Sequence, residues 1–105
     1  MQGVPLRIVD EPRFSWRELM VDTSRHFLPP RVLRTVVDSM GTAKLNVLHL
    51  HLVDSQAFPL VLPSAPRLAR GAYSPPERYS LTDLQDLQVA VAALKAHTLY
   101  RSCWV

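Results

Sequence analysis

Leu45–Asp54 reads LNVLHLHLVD, with six aliphatic side chains, two histidines, a closing aspartate and no Gly or Pro. A short run so rich in Val and Leu, without regular polar alternation, suits a strand covered on both faces. Pleating sends Val47, His49 and His51 to one side and Leu48, Leu50 and Leu52 to the other. Asp54 falls where that strand should end, just ahead of SQAFP. In parallel α/β architectures the carboxyl ends of the strands carry the chemistry. A carboxylate at this point is therefore a candidate site residue.

Upstream, Pro29 and Pro30 introduce Arg31–Ala43, where Val32, Val36 and Met40, and Leu33 and Val37, recur at three- and four-residue steps. The spacing predicts a helix with one buried stripe, entered at a proline and stopped near Gly41. Before it, Asp22, Thr23 and Ser24 are turn and cap formers, and Phe14–Asp22 (FSWRELMVD) predicts a first strand. Residues 1–13 are a polar lead-in. Downstream, residues 55–79 carry Pro59, Pro63, Pro66, Pro75 and Pro76 and no clear element. A connection of that length inside a compact domain is usually functional. Ser80-Leu81-Thr82-Asp83 then opens a second helix, with Asp83 standing in for the capping-box Glu. Leu84, Leu87 and Val91 continue it through Leu94. His97–Val105 is left open between a third strand and an unpartnered end.

Strand, helix and strand with no tight hairpin predict a parallel βαβ unit. A parallel sheet of two or three strands has open edges and poor cover. Independent folding is expected to be poor.

The chain has 105 residues, 48% hydrophobic and 20% charged, which fits one small globular domain. A net charge of +3 does not point to nucleic acid, because the arginines form no run and no patch interleaved with aromatics. Cys103, the single cysteine, cannot build an internal disulfide and lacks the context of a zinc site. The stretch MQGVPLRIVDEP has acidic residues and no apolar core, unlike a signal peptide. No apolar run approaches a membrane span.

Three blocks stand out by their order and spacing: FSWRELMVDTSRHFLP (14–29), KLNVLHLHLVDSQAFPL (44–60) and GAYSPPERYSLTDL (71–84). Together they resemble the start of the catalytic barrel of family 20 glycoside hydrolases, the β-N-acetylhexosaminidases. The resemblance implies an α/β chain holding the first βαβα portion of a (β/α)8 barrel, incomplete because such barrels typically run to about 250 residues. It implies a partial barrel over residues 14–96 and a divergent end over 97–105. From about Gln88 the chain leaves the family pattern, reading VAVAALKAHTLYRSCWV where the family turns into a third strand with an FDxPGH-like segment. A truncated or frame-shifted end would look like this.

The implied parent activity is hydrolysis of terminal N-acetylglucosamine or N-acetylgalactosamine from glycans, with retention. The substrate's own acetamido oxygen serves as nucleophile, an exception to the two-carboxylate scheme. The resemblance implies no cofactor and no metal. The general-acid Glu and its neighbouring Asp belong to a later family segment without counterpart in these 105 residues, so the chain alone is expected to be inactive. The runner-up is a non-catalytic carbohydrate-binding or interaction piece retaining Arg25. Family members are commonly lysosomal or secreted. Dimerisation, which would complete the sheet, is left open.

Two site residues follow from the resemblance. Arg25 matches the arginine that binds the hydroxyls of the terminal sugar, work suited to a permanently charged fork of donors. The residues alone leave open a surface arginine pairing with Asp22. Asp54 matches the aspartate that orients a histidine contacting the general acid. That histidine lies outside the matching blocks, so Asp54 is expected to lack its partner here. His49 and His51 form an HxH on one strand face, but a metal site needs further convergent ligands. They are expected to be buried and hydrogen-bonded. His26 is expected to pack or hydrogen-bond within the first loop, Trp16 to pack in the core and Tyr73 to anchor a loop. Three positions depart from the family pattern: Glu18 where Gly is common, Leu50 where Trp is common, and Ser55 in place of a second acidic residue.

Overall fold

The computed structural model describes residues 7–102. In chain order these form β1 (Glu18–Asp22), α1 (Pro30–Thr42), β2 (Val47–Val53), a 3-10 helix (Pro66–Gly71), α2 (Leu81–Ala93) and β3 (His97–Ser102). The strands make one sheet in the order β1-β2-β3, with both pairs parallel. The open reading of residues 97–105 resolves into a strand as far as Ser102. Cys103 lies outside the described residues.

Pleat and helix stripe meet as expected on one side of the sheet. Leu48, Leu50 and Leu52 from β2 join Leu33, Val37 and Met40 from α1 and Leu87, Ala90 and Val91 from α2 in one buried core. Each such aliphatic side chain contributes roughly 1.5–3 kcal/mol when buried. Along β2 the opposite face is covered too, with Val47 and Val53 buried and His49 and His51 mostly covered, but the flanking strands are not. Met20 and Leu99, which flank His49 in register, are 55% and 38% exposed. Both helical crossovers join the core on the Leu48–Leu50 side, so among the described residues that face is packed and the other is open at β1 and β3, beside β2.

The helix ends also differ in part. Gly41 lies inside α1 rather than stopping it, and an added Cβ there would come within 3.0 Å of the Leu94 side chain at the end of α2. The stop comes three residues later. Lys44 takes a left-handed φ of 57°, with Lys44 N–H bonded to Gly41 O (3.2 Å) and Leu45 N–H to Met40 O (2.9 Å). α2 ends in the same way, with Lys95 at φ 55° and Ala96 N–H bonded to Val91 O at 3.2 Å. Both ends are Schellman turns with lysine where glycine is usual. The predicted cap on α2 is present: the Ser80 hydroxyl accepts from Asp83 N–H at 3.1 Å, and the Asp83 carboxylate accepts from Ser80 N–H at 2.8 Å.

The connection 55–79 is not without structure. It carries the 3-10 helix, and Phe58 N–H bonds to Gly71 O at 3.0 Å. Tyr79 closes it, pairing with Leu60 in an isolated parallel bridge. The fully buried Tyr79 phenol donates to Leu28 O at 2.5 Å and accepts from Leu28 N–H at 3.2 Å, while its ring lies 4.7 Å from that of Phe27. One side chain thus ties this connection to the loop between β1 and α1.

Candidate functional site

Register brings the site together. Asp22 ends β1 directly opposite His51 of β2, so both side chains share the open face at the carboxyl edge of the sheet. The next residues turn sharply, because Asp22 Oδ1 accepts from the backbone N–H of Ser24 (3.0 Å) and Arg25 (3.1 Å). Thr23 and Ser24 are fully buried, and Thr23 N–H donates to His51 O at 3.0 Å. Arg25 is left at the rim with its side chain 48% exposed. Its Nη1 donates to Asp22 Oδ2 at 2.7 Å and lies 3.3 Å from Asp54 Oδ2.

Asp54 is the hub of the cluster. Only 4% of its side chain is exposed. Oδ1 accepts from the N–H groups of Gln56 (2.8 Å) and Ala57 (3.2 Å), and Oδ2 lies 3.2 Å from His51 Nε2. The Ser24 hydroxyl bonds the same carboxylate and reaches Ala57 O at 3.2 Å. Within the described residues Asp54 has partners other than the histidine of the family pattern. His51, Arg25, Ser24 and two backbone amides surround it, because the turn after β2 folds its amides back onto the carboxylate.

Electrostatics follow from these contacts. Burial pushes the Asp54 carboxyl up, yet the bonds from Ser24, Gln56, His51 and Ala57 outweigh it and hold the group well below the usual carboxylate range. Burial likewise opposes ionisation of Asp22, and the bonds from Arg25 and Ser24 reverse the balance and lower it. A buried carboxylate kept ionised and hydrogen-bonded on both oxygens is suited to orienting neighbours, not to donating a proton. Arg25 is the group of this cluster that faces solvent with positive charge.

The remaining expectations divide. His49 and His51 are mostly covered, with side chains 16% and 12% exposed, and each meets a carboxylate. His49 Nδ1 lies 2.6 Å from Glu18 Oε1, and Glu18 Oε2 also accepts from Trp16 Nε1 at 2.9 Å. The described residues contain no group of three His, Cys, Asp or Glu side chains able to hold a metal. Trp16 is not in the core: it is 57% exposed, since it precedes β1 on the uncovered side. Tyr73 is 59% exposed, and the loop is anchored by Tyr79 instead. His26 is exposed beside Arg25. Sequence reasoning passed over Ser24 and Tyr79. The RYSLTD context gave no sign of a phenol bonding 51 residues away.

Residues 14–97 match the family described as glycosyl hydrolase family 20, catalytic domain. The chain belongs to glycosyl hydrolase family 20. It is 55% identical over 83 residues to Beta-hexosaminidase 3 of Arabidopsis thaliana, covering 79% of this chain and 16% of that protein. Beta-hexosaminidase A of Caenorhabditis elegans is 46% identical over 91 residues, 86% of this chain and 16% of that protein. Among solved structures, the chitobiase of Flavobacterium johnsoniae superimposes with a TM-score of 0.78 at 32% identity, over 85% of this chain and 13% of that one. The N-acetyl-beta-hexosaminidase of Streptomyces plicatus, solved with Thio-NAglucal, gives a TM-score of 0.72 at 28% identity, over 85% and 19%. This family 20 chain thus spans about a sixth of the length of the curated relatives it matches.

Proposed function

We propose that this family 20 chain is the first βαβα portion of a (β/α)8 catalytic barrel, with barrel sequence over residues 14–96 and a divergent end over 97–105. Its parent enzyme hydrolyses terminal N-acetyl-D-hexosamine residues from β-N-acetylhexosaminides, without a cofactor, in a lysosomal or secreted setting. The observation that carries the reading is the convergence of Asp22, Arg25, His51 and Asp54 at the carboxyl edge of two adjacent parallel strands, the edge where barrels of this kind hold their active sites.

In this reading Arg25 grips adjacent hydroxyls of the terminal sugar, a role supported by its half-exposed position at the rim. Asp54 holds the loop behind Arg25 and orients a histidine contributed by a later segment, which sets the attitude of the general acid. Hydrolysis proceeds by attack of the substrate's acetamido oxygen on the anomeric carbon, with retention. The acid and the acetamido-orienting Asp fall outside these 105 residues, so the chain alone does not turn over substrate.

The test is the parent product. Sequencing the transcript past the codon for Val105 should run into an FDxPGH-like strand and a later Asp-Glu pair. In the encoded protein, Arg25→Ala should lower kcat/KM on a chromogenic N-acetyl-β-D-glucosaminide about 10–100-fold, the worth of one charged hydrogen bond. An unchanged kcat/KM removes Arg25 from the site. Saturable N-acetylglucosamine binding by the 105-residue chain, with no longer product, would instead support a non-catalytic carbohydrate-binding role.

A further inference from the structure

We infer that Asp22 is a positioning residue for Arg25, fixing the guanidinium at the carboxyl edge of the sheet in the attitude that meets sugar hydroxyls. The inference rests on the sugar-binding reading of Arg25 and goes beyond it by naming what aims the side chain. Two carboxylates approach Arg25 Nη1, and they are not equivalent. Asp22 Oδ2 is at 2.7 Å and Asp54 Oδ2 at 3.3 Å. Asp54 is already engaged by His51, Ser24 and the amides of Gln56 and Ala57. Asp22 instead divides its oxygens between the turn and the guanidinium: Oδ1 holds the amides of Ser24 and Arg25, and Oδ2 holds Nη1.

The Asp22 carboxylate is thereby fixed at three points. Its backbone belongs to the β1 ladder opposite His51, and Oδ1 is bound by two amides of the following turn. What remains is one oxygen aimed at one nitrogen. A half-exposed ion pair contributes little to stability, so its main consequence is orientation. A long side chain loses rotamer freedom on binding, and a guanidinium ordered beforehand has already met that cost.

The test uses the 105-residue chain with labelled arginine, reading hydrogen exchange at the Arg25 Nη–H groups by NMR at low temperature. Asp22→Asn keeps the amide bonds at Oδ1 and replaces the oxygen facing Nη1 with a donor. It should speed exchange about fivefold, the upper end for a half-exposed pair. Asp22→Glu should recover part of that protection through its charge, and Asp54→Asn should affect exchange less than Asp22→Asn. Exchange unchanged in Asp22→Asn, or moved as far by Asp54→Asn, overturns the proposal. If Asp22→Asn does not fold, the wild-type spectrum decides: the Arg25 Nη–H groups must exchange more slowly than those of exposed Arg70. Titration with N-acetylglucosamine separates the two readings. Binding indifferent to Arg25→Ala sinks the sugar assignment alone, while exchange indifferent to Asp22→Asn sinks the positioning role alone.

Discussion

Replacing Asp54 with asparagine probes the hub of the cluster with almost no change in shape. The amide oxygen can keep the bonds from Gln56 and Ala57 N–H, though each weakens from charge-assisted to neutral. The new NH2 group faces Arg25 Nη1 and the Ser24 hydroxyl in place of an acceptor. Loss of the charged bonds is worth roughly 1.5–3 kcal/mol, and the half-exposed Arg25 pair adds under about 1 kcal/mol. The expected destabilisation at pH 7 is about 3 kcal/mol, against a total of roughly 5–15 kcal/mol for a domain. Its pH dependence has a definite sign. The folded Asp54 carboxyl is held below its unfolded value, so its stabilisation is complete above about pH 5 and is lost as pH falls toward the folded value. Near pH 2.5 the wild type has given up much of this advantage, and the gap to Asp54→Asn narrows. Urea unfolding followed by circular dichroism at the two pH values measures the gap. A difference below about 1 kcal/mol at pH 7, or one that does not narrow in acid, refutes the reasoning.

Two further substitutions test the scaffold. Tyr79→Phe strips both hydrogen bonds from the partly buried Leu28 backbone, and should cost about 1–3 kcal/mol while raising amide exchange across residues 23–28. Burial pushes the Tyr79 phenol up to about 12, so almost no ionisation should be seen in its absorbance below about pH 10. Lys44→Gly and Lys95→Gly each relieve a left-handed lysine and should raise stability by about 0.5–1 kcal/mol apiece, read as higher melting temperatures.

The parts of the fold that sequence makes legible are those governed by local periodicity. The faces of β2, the stripe of α1 and the Ser80–Asp83 cap each depend on residues within a few positions of one another, and all three appear as read. What escapes is set by distant contacts. Gly41 reads as a stop signal, yet its small size serves the approach of Leu94 from α2, and the true stop is a lysine in a conformation that no side-chain pattern announces. Residues 55–79 look shapeless because their anchor, Tyr79, bonds to a loop far upstream. Trp16 reads as core because it is large and apolar, but cover depends on what lies above a face, and this one is open. The site is half visible. Arg25 and Asp54 stand out in their blocks, whereas the parallel register that sets Asp22 beside His51, and the turn that delivers Ser24 to Asp54, are properties of the folded chain.

The central claim is that this family 20 chain carries the sugar-gripping corner of a hexosaminidase barrel without its general acid. The most direct measurement is hydrolysis of a chromogenic N-acetyl-β-D-glucosaminide by the purified, contamination-checked 105-residue protein, with Arg25→Ala prepared alongside. The account predicts no release of chromophore above the blank from either. Turnover that scales with protein concentration and falls in Arg25→Ala would contradict it, because a complete catalytic centre would then lie within these residues.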